Sequence, residues 1–375
     1  MNIELDGDRA MLRDTVRAFA EREIAPRAAK ADEEERLPPE NLAGLAKLGF
    51  MGMGLPDEYG GAGLDMLSCA IVLEELARAC ASTALSFGAH SILSAQFIYR
   101  NAGEEQRHRF LPAMASGEKI GAWALTEPGA GSDALSLTTR AERDGSVYVL
   151  TGRKMFITNA WIADIVVVFA RTKGSDITTF VVERGMAGFS PQPPLKKMGC
   201  RASPTSEIVL DGVRVPEENR LGKEGDGVRQ IMEGLNYERA VFAGLPLGLA
   251  RAALEHSVRY AKERRQFGRP IGDFQLVQEM LADMYAEIQA ARLAVYQAAG
   301  DLDRGRLTNA AAAAAKLFAG GVAMRAATNA IQVHGGYGYM REFPVERYLR
   351  DAKLVEIGAG TSQVMKLIIA RELLQ

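Results

Sequence analysis

The sequence is poor in the residues that build metal centres and disulfide frameworks. It contains three cysteines and four histidines among 375 residues. Cys69, Cys80 and Cys200 show no CxxC spacing, which zinc sites and small disulfide scaffolds usually have. We therefore expect reduced cysteines that pack inside the protein, and no metal site.

The chain also lacks an excess of either charge and any long apolar run. Its 45 Lys and Arg residues against 47 Asp and Glu residues give a formal net charge of -2, without the basic stretches of nucleic-acid-binding proteins. No apolar run approaches the roughly 20 residues that cross a bilayer. Residues 1–6 lack the basic and apolar parts of a signal peptide. These absences argue against a nucleic-acid partner and membrane insertion, and they favour a cytoplasmic, bacterial protein.

The period of the hydrophobic pattern changes twice along the chain. Apolar residues first recur at helical spacing, then with period two among β-branched residues, and then again at helical spacing. One long helical pattern runs from Ile231 to Arg265. We predict a multidomain α and β protein with an N-terminal helical domain (1–118), a middle antiparallel β-barrel domain (119–229) and a C-terminal four-helix bundle (230–375).

Residues 123–133 form a motif that could hold a cofactor. The sequence WALTEPGAGSD leaves a predicted strand and enters a loop rich in glycine and hydroxyl residues. Such a loop presents backbone N–H groups that can bind a flavin edge or phosphate oxygens. By itself the motif is weak, because a glycine-rich strand exit is more often a plain turn.

Four further motifs accompany this loop in a fixed order. They are KMFITN at 154–159, RRQFG at 264–268, QVHGG at 332–336 and GTSQ at 360–363. With TEPGAGSD at 126–133, they make the whole chain resemble the acyl-CoA dehydrogenase family, and most closely its isovaleryl-CoA dehydrogenase branch. The resemblance implies an FAD enzyme. The family's succession of helical, β-barrel and helical domains agrees with the order read from the hydrophobic periods.

The resemblance assigns two groups of residues to FAD. One group lines the isoalloxazine ring, where fixed donors stabilise the negative charge of reduced flavin. Its members are Trp123, Leu125, Thr126, Gly131, Ser132, Phe156, Ile157 and Thr158, with Phe156 where many relatives carry Trp. Thr361 and Gln363 would meet the flavin nucleotide of their own subunit. The second group would hold the adenosine and pyrophosphate of the neighbouring subunit's FAD: Arg264, Phe267, Gln275, Gln332, Gly335 and Gly336. A cofactor bound across a subunit contact implies an oligomer, expected to be a homotetramer.

Glu238 is our candidate for the catalytic base. Many relatives carry a carboxylate where this chain has Ala359, within Gly358-Ala359-Gly360. The isovaleryl branch instead has a glutamate that matches Glu238, in apolar surroundings where burial would raise the pKa of the carboxyl. Without the resemblance, Glu238 would be read as one of many glutamates on a helix surface.

The resemblance also implies the reaction. Glu238 would take the α-proton of an acyl-CoA thioester while a hydride leaves the β-carbon for the flavin, giving a 2-enoyl-CoA. The Ala359 backbone N–H would stabilise the thioester oxygen. An electron-transferring flavoprotein is the expected electron acceptor. The implied substrate contacts are Ser132, Asn236, Arg239, Ala359 and Gly360.

Ser82 bears on the nature of the acyl chain. Relatives that act on glutaryl-CoA, and those that release sulfinate, would carry an Arg at this place, because a buried distal charge needs a partner. A short or branched apolar acyl group therefore fits better. Three alternatives stay open: a longer branched or aromatic acyl-CoA of the citronellyl type, an acyl-CoA oxidase, and an inactive flavin- or CoA-binding homologue.

Overall fold

The N-terminal part of the computed structural model is helical. The structure describes residues 5–174 and 176–375, so residues 1–4, which carry part of the signal-peptide prediction, lie outside the described residues. Asp6 and Asp65 cap two helices by accepting from backbone N–H groups. The helices are α1 (Gly7–Phe19), α2 (Ala28–Glu34), α3 (Pro39–Lys47), α4 (Met66–Ala79), α5 (Ala81–Gly88), α6 (Gln96–Asn101) and α7 (Glu104–Ala115), with π-helical segments at Ala20–Ile24 and Ala89–Ala95.

The middle part is one sheet. Its strands are β1 (Gly121–Ala124), β2 (Arg140–Asp144), β3 (Val147–Thr158), β4 (Ile165–Arg171), β5 (Ile177–Glu183), β6 (Phe189–Pro191), β7 (Thr205–Pro216) and β8 (Arg220–Leu221). The order is β6-β7-β3-β2-β4-β5-β8, with β1 beside β4. Most pairings are antiparallel, but β4 pairs in parallel with β1 and β2. The edge strands β6 and β8 do not pair with each other among the described residues, so this sheet is open rather than a closed barrel.

Long helices form the C-terminal part. They are α8 (Gly227–Phe242), α9 (Gly244–Glu263), α10 (Gln275–Asp303), α11 (Asn309–His334), α12 (Val345–Val355) and α13 (Ser362–Leu373), with the short strands β9 (Arg265–Gln266) and β10 (Arg269–Pro270) between α9 and α10. The prediction of one helix over 231–265 was wrong, because the chain breaks at Ala243. Pro246 explains the break, since it has no N–H to donate to the carbonyl of Phe242. The predicted order of helical, β and helical domains is confirmed, and the exact domain boundaries stay a prediction.

The two helical parts share one hydrophobic core. Leu76 of α4 belongs to the same buried cluster as Leu247 of α9 and Ile288 of α10. The helices α4 and α9 approach closely, because a Cβ added at Gly248 would lie 2.2 Å from the carbonyl oxygen of Glu74.

Helix α8 connects this core with the sheet. Ile231, near its start, packs with Phe169 of β4 in a second buried cluster, whereas Tyr237 and Val241 pack in the helical core. Helix α8, which carries Glu238, therefore contacts both the helical core and the sheet.

Three structural observations bear on the predicted absences. No helix within residues 5–174 and 176–375 combines the length and apolarity that a membrane crossing requires. The same described residues contain no cluster of three or more His, Cys, Asp or Glu side chains that could hold a metal ion. The three cysteines are buried and unpaired, which agrees with a packing role.

Candidate active site

The turn at residues 356–361, between α12 and α13, is held by cations from two other helices. Ala359 and Gly360 have left-handed φ angles of 56° and 98°. The carbonyl oxygen of Ala359 accepts from Nε of Arg239 at 3.2 Å, and that of Gly360 accepts from Nζ of Lys316. These charge-assisted bonds offset the left-handed conformation of an alanine, which costs about 1–2 kcal/mol.

The turn leaves the backbone N–H of Ala359 free. The N–H of Gly358 donates to the carbonyl of Leu354 at 2.9 Å, and the N–H of Ser362 donates to the carbonyl of Glu356 at 2.9 Å. For the N–H of Ala359, residues 5–174 and 176–375 provide no acceptor. A fixed donor without a partner is what an oxyanion-binding position requires.

Glu238 lies on α8 and is 9% exposed. Burial raises the pKa of its carboxyl to about 7, against the charges of Arg239 and Lys316, which lower it. No hydrogen bond from the described residues contributes to this pKa. A carboxylate that lacks donors and titrates near neutrality suits proton abstraction. Both cations that act on Glu238 bond the turn: Arg239 bonds the carbonyl of Ala359, and Lys316 bonds that of Gly360.

A narrow cleft follows α8 on the N-terminal side of Glu238. Apolar and polar residues share one side of its lining, and α8 forms the other side. The lining residues are Ile92, Leu93, Gln96, Phe97, Arg100, Asn101, Glu233, Gly234 and Tyr237. A Cβ added at Gly234 would lie 3.2 Å from the ring of Phe97, so the cleft is tight at that point. The guanidinium of Arg100 stands over the ring of Tyr237, 4.7 Å from its centroid.

His90 is fully buried beside this region and has a structural role. Its Nδ1 accepts from the N–H of Gly121 at 2.9 Å, and its Nε2 bonds the carbonyl of Met114 at 3.0 Å. Burial lowers the pKa of His90 to about 4, so it is neutral at physiological pH. Both ring nitrogens are used within the protein.

A buried ion pair fixes the glycine-rich segment. Nζ of Lys154 lies 2.8 Å from the carboxylate of Glu127, and the two residues are 0% and 4% exposed. The same Nζ donates to the carbonyl of Leu125 at 3.2 Å, and the N–H of Met155 donates to the carbonyl of Thr126 at 2.8 Å. Strand β3 thereby holds the backbone at the exit of β1.

The predicted flavin-lining residues present different parts to a ligand. Leu125 and Ile157 are 4% and 3% exposed, so only their backbone can meet a cofactor. Phe156 is 65% exposed and has a φ angle of 60°, within a register shift between β3 and β7. Residues with accessible surface in this group are Trp123, Thr126, Gly131, Ser132 and Thr158.

The residues predicted to bind a neighbour's FAD gather on another surface. An open cleft includes Arg264, Gly335 and Gly336 in its lining, together with Tyr260, Gln266, Ile271, Val333, His334, Tyr337 and Met340. The guanidinium of Arg264 lies 5.3 Å from the ring centroid of Tyr337. The other three predicted residues, Phe267, Gln275 and Gln332, are exposed and lie close in sequence to residues of this lining. Phe267 is 93% exposed. This lining contains none of the residues around Glu238, which fits two separate binding regions in one chain.

Three sequence models of one family match almost the whole chain. They describe the N-terminal domain of acyl-CoA dehydrogenase over residues 6–118, the middle domain over 122–213 and the C-terminal domain over 225–374. The chain belongs to the acyl-CoA dehydrogenase family. It is therefore an FAD-dependent oxidoreductase.

Individual relatives are similar to this acyl-CoA dehydrogenase over almost its full length. A probable acyl-CoA dehydrogenase of Bacillus subtilis is 46% identical, with 100% of both chains covered. A short-chain-specific acyl-CoA dehydrogenase of Clostridium acetobutylicum is 45% identical, with 99% of both covered. A mitochondrial isovaleryl-CoA dehydrogenase of Oryza sativa is 44% identical, with 98% of this chain and 91% of the relative covered.

Solved structures share the fold of this dehydrogenase. Butyryl-CoA dehydrogenase from Megasphaera elsdenii superposes with a TM-score of 0.97 at 39% identity, over 100% of both chains. A glutaryl-CoA dehydrogenase in complex with glutaryl-CoA gives 0.97 at 39% identity, over 100% and 97%. A chain from the structure of the electron-transferring flavoprotein of Acidaminococcus fermentans gives 0.98 at 42% identity, over 100% of both.

The residues of this dehydrogenase fit its cofactor, FAD. Nε1 of Trp123 is buried with no partner among the described residues, and it is a donor at the exit of β1. Beyond it the loop is open, since a Cβ added at Gly129 or Gly131 would meet nothing within 4 Å. An unpaired donor and an accessible glycine-rich loop are what a polar ligand edge needs.

Sequence reasoning did not single out Lys316, and it assigned no individual role to Lys154 or Glu127, although both lie in the quoted motifs. Lys316 holds the Gly360 carbonyl, and the other two fix the glycine-rich segment. A signal existed for Lys316, because it is a lone charge after an alanine run at 310–315, on a helix face that should be buried.

Proposed function

We propose that this enzyme dehydrogenates a short or branched apolar acyl-CoA, of the isovaleryl-CoA type, to the 2-enoyl-CoA, with Glu238 as the catalytic base. One observation carries the proposal: a buried carboxyl with a pKa of about 7 lies on the helix that binds the turn with the free Ala359 N–H. The names of several relatives, which include isovaleryl-CoA and short-chain-specific dehydrogenases, support the same class of substrate.

In this proposal each residue has a separate task. Glu238 removes the α-proton, and the Ala359 N–H donates to the thioester oxygen, which lowers the cost of the negative charge that develops there. When bound, FAD supplies the acceptor for the hydride from the β-carbon. Ser132, Asn236, Arg239 and Gly360 contact the CoA ester. Arg239 acts partly through the protein, because its Nε and Nη1 already bond Ala359 and Asn236.

We assign FAD to the two predicted groups. Trp123, Leu125, Thr126, Gly131, Ser132, Phe156, Ile157 and Thr158 line the flavin, with Thr361 and Gln363 on the nucleotide of the same subunit. Arg264, Phe267, Gln275, Gln332, Gly335 and Gly336 bind the adenosine and pyrophosphate of a neighbour's FAD. The second cleft shares no residue with the surroundings of Glu238, which supports binding across subunits, and the resemblance to the family supports a homotetramer.

Charge, rather than the size of the narrow cleft beside α8, supports an apolar acyl group in this proposal. Ser82, which is buried, supplies no positive charge for a distal carboxylate. Arg100 is the basic residue in the lining of the cleft, and for this reason glutaryl-CoA is included in the test below.

We further propose an electron-transferring flavoprotein as the electron acceptor and a bacterial cytoplasmic location. The acceptor is supported by the resemblance to the family and by the similarity to a chain from the A. fermentans flavoprotein structure. The location is supported by similar bacterial relatives.

The test is anaerobic bleaching of the bound flavin by butyryl-, isovaleryl-, octanoyl-, citronellyl- and glutaryl-CoA. We expect isovaleryl-CoA or butyryl-CoA to bleach fastest. A preference for citronellyl-CoA or glutaryl-CoA would replace the proposed substrate class, and no bleaching by any of them would refute the reaction. Rapid reoxidation of the reduced enzyme by air, with peroxide release, would identify an oxidase instead.

A further inference from the structure

Lys316 is a buried cation on α11 that the proposed reaction does not use. It is 6% exposed and follows the alanine run at 310–315. Its Nζ donates to the carbonyl of Gly360. Burying an ammonium group is costly unless it is paired and hydrogen-bonded, so its partners must compensate for the lost hydration.

We propose that Lys316 is a positioning residue: its ammonium group holds the turn that presents the Ala359 N–H and compensates the charge of the Glu238 carboxylate. This inference rests on the proposed role of Glu238 as the base. Lys316 touches neither substrate nor reacting atoms in this proposal, and it acts through the turn and through Glu238.

Two cations on two helices act on Glu238. Arg239 lies on α8 and Lys316 on α11, and both lower the pKa of the Glu238 carboxyl that burial raises. Glu356, in the turn, acts on Lys316 and is bonded by Lys353 at 2.8 Å. Burial lowers the pKa of Lys316 to about 8, although the charge of Glu238 raises it. Lys316 therefore remains mainly protonated at neutral pH.

The two cations are not equivalent. The Nε of Arg239 donates to the carbonyl of Ala359, and its Nη1 donates to Oδ1 of Asn236. These two bonds fix the guanidinium between α8 and the turn. Lys316 lies on a separate helix, α11, and its Nζ donates to the carbonyl of Gly360 in the same turn. It is thus the residue that couples α11 to both the oxyanion donor and the base.

Three substitutions separate the two tasks of Lys316. Lys316→Met removes the charge and the donor, Lys316→Gln removes the charge and keeps a donor, and Lys316→Arg keeps both. Lys353→Met is the matched control, because it removes a cation from the solvent side of the same turn, where Lys353 is 46% exposed.

The first readout is the rate of flavin bleaching by isovaleryl-CoA as a function of pH. For Lys316→Met we expect a loss of about 10- to 100-fold at neutral pH, with acyl-CoA binding by calorimetry nearly unchanged. The acidic limb of the profile should move up by roughly one pH unit, because an opposite charge near Glu238 has been removed. In Lys316→Gln the acidic limb should shift by the same amount, with a smaller loss of bleaching rate at high pH. In Lys316→Arg the acidic limb should lie at its wild-type pH. An unmoved limb in both the Met and Gln variants would overturn the proposal.

The second readout needs no turnover. Glu238 has a raised pKa in the folded protein, so its contribution to stability falls as the pH rises from about 4.5 to about 7. Removing Lys316 should extend this fall to higher pH. The effect should vanish in a Glu238→Gln background, measured as Tm against pH in a double-mutant cycle. An equal effect of Lys316→Met in both backgrounds would contradict the charge coupling. If none of the tested acyl-CoAs bleached the flavin of the wild-type enzyme, the proposed function would fail. The stability measurement would still test the charge coupling between Lys316 and Glu238, because it needs no substrate.

Discussion

Glu238 and Glu127 are both buried glutamates, yet the pKa values of their carboxyls move in opposite directions. Burial alone would raise both. The pKa of Glu127 instead falls to about 2, because Lys154 and hydrogen bonds from Thr138 and Thr139 stabilise its charge. Glu238 has the charges of Arg239 and Lys316 but no hydrogen bond from the described residues, and its pKa rises to about 7. The carboxylate with many donors fixes structure, whereas the one without donors is available to accept a proton.

The strongest test of this contrast is Glu238→Gln. We expect the variant to fold, bind FAD and bind acyl-CoA, yet bleach about 10²- to 10⁴-fold more slowly, which is the typical cost of removing a general base. Stopped-flow absorbance measures the rate. Glu33→Gln, an exposed glutamate on α2, is the control and should bleach like the wild type. Bleaching of Glu238→Gln at the control's rate would remove Glu238 from the mechanism.

Breaking the other pair should affect stability instead. Lys154→Met leaves Glu127 buried without its cation, which we expect to lower the free energy of unfolding by about 3–5 kcal/mol. The adjacent exposed pair of Arg153 and Glu207, at 3.2 Å, offers a matched control. Arg153→Met should cost less than about 1 kcal/mol. The free energy of unfolding is measured by urea denaturation. Equal losses in Lys154→Met and Arg153→Met would mean that the buried pair contributes no more to stability than a surface pair.

The pH dependence should separate the two glutamates. Glu127 has a folded pKa of about 2 against an ordinary 4.5, so its stabilising contribution is present above about pH 4.5 and is lost as the pH falls toward 2. Glu238 behaves in the opposite sense, and its contribution falls as the pH rises from about 4.5 to about 7.

The bleaching rate should follow Glu238 alone. Because the carboxylate is the active form, the rate should rise about tenfold per pH unit below the pKa and level off above about pH 7. Tm against pH for Glu127→Gln and Glu238→Gln, together with wild-type bleaching rates, measures both trends. An acidic limb near pH 4.5 in the profile of bleaching rate against pH would show that burial does not raise the pKa of the base.

The smallest effect is expected at Ala359. Ala359→Gly keeps the backbone N–H and relieves a left-handed φ of 56°, so bleaching should change only a few-fold. Stability should stay the same or rise by up to about 1 kcal/mol. Ala124→Gly, at a buried position in β1, is the control and should destabilise the protein. A large loss of bleaching in Ala359→Gly would show that the methyl group itself matters.

The sequence predicted the fold class well, because hydrophobic period and turn residues are local signals. It missed the break at Ala243, although Pro246 signals it. The β domain that it predicted is present, as an open sheet among the described strands. Motif resemblance supplied Glu238, the glycine-rich loop and the residues around Arg264. It did not supply Lys316 or the ion pair that Lys154 makes from within the KMFITN motif, because the partners of these two residues are 44 and 27 residues away in sequence.

By itself, the sequence determined the family and the cofactor, and it predicted the exchange of a carboxylate at position 359 for one at position 238. These follow from residue types at fixed places along the chain. Only the tertiary structure decided how the exchange is supported: Arg239 and Lys316 hold the turn, and the Ala359 N–H is left without an acceptor among the described residues. The physical reason is that burial, charge coupling and unpaired donors depend on contacts between distant segments, which no local pattern in the sequence encodes.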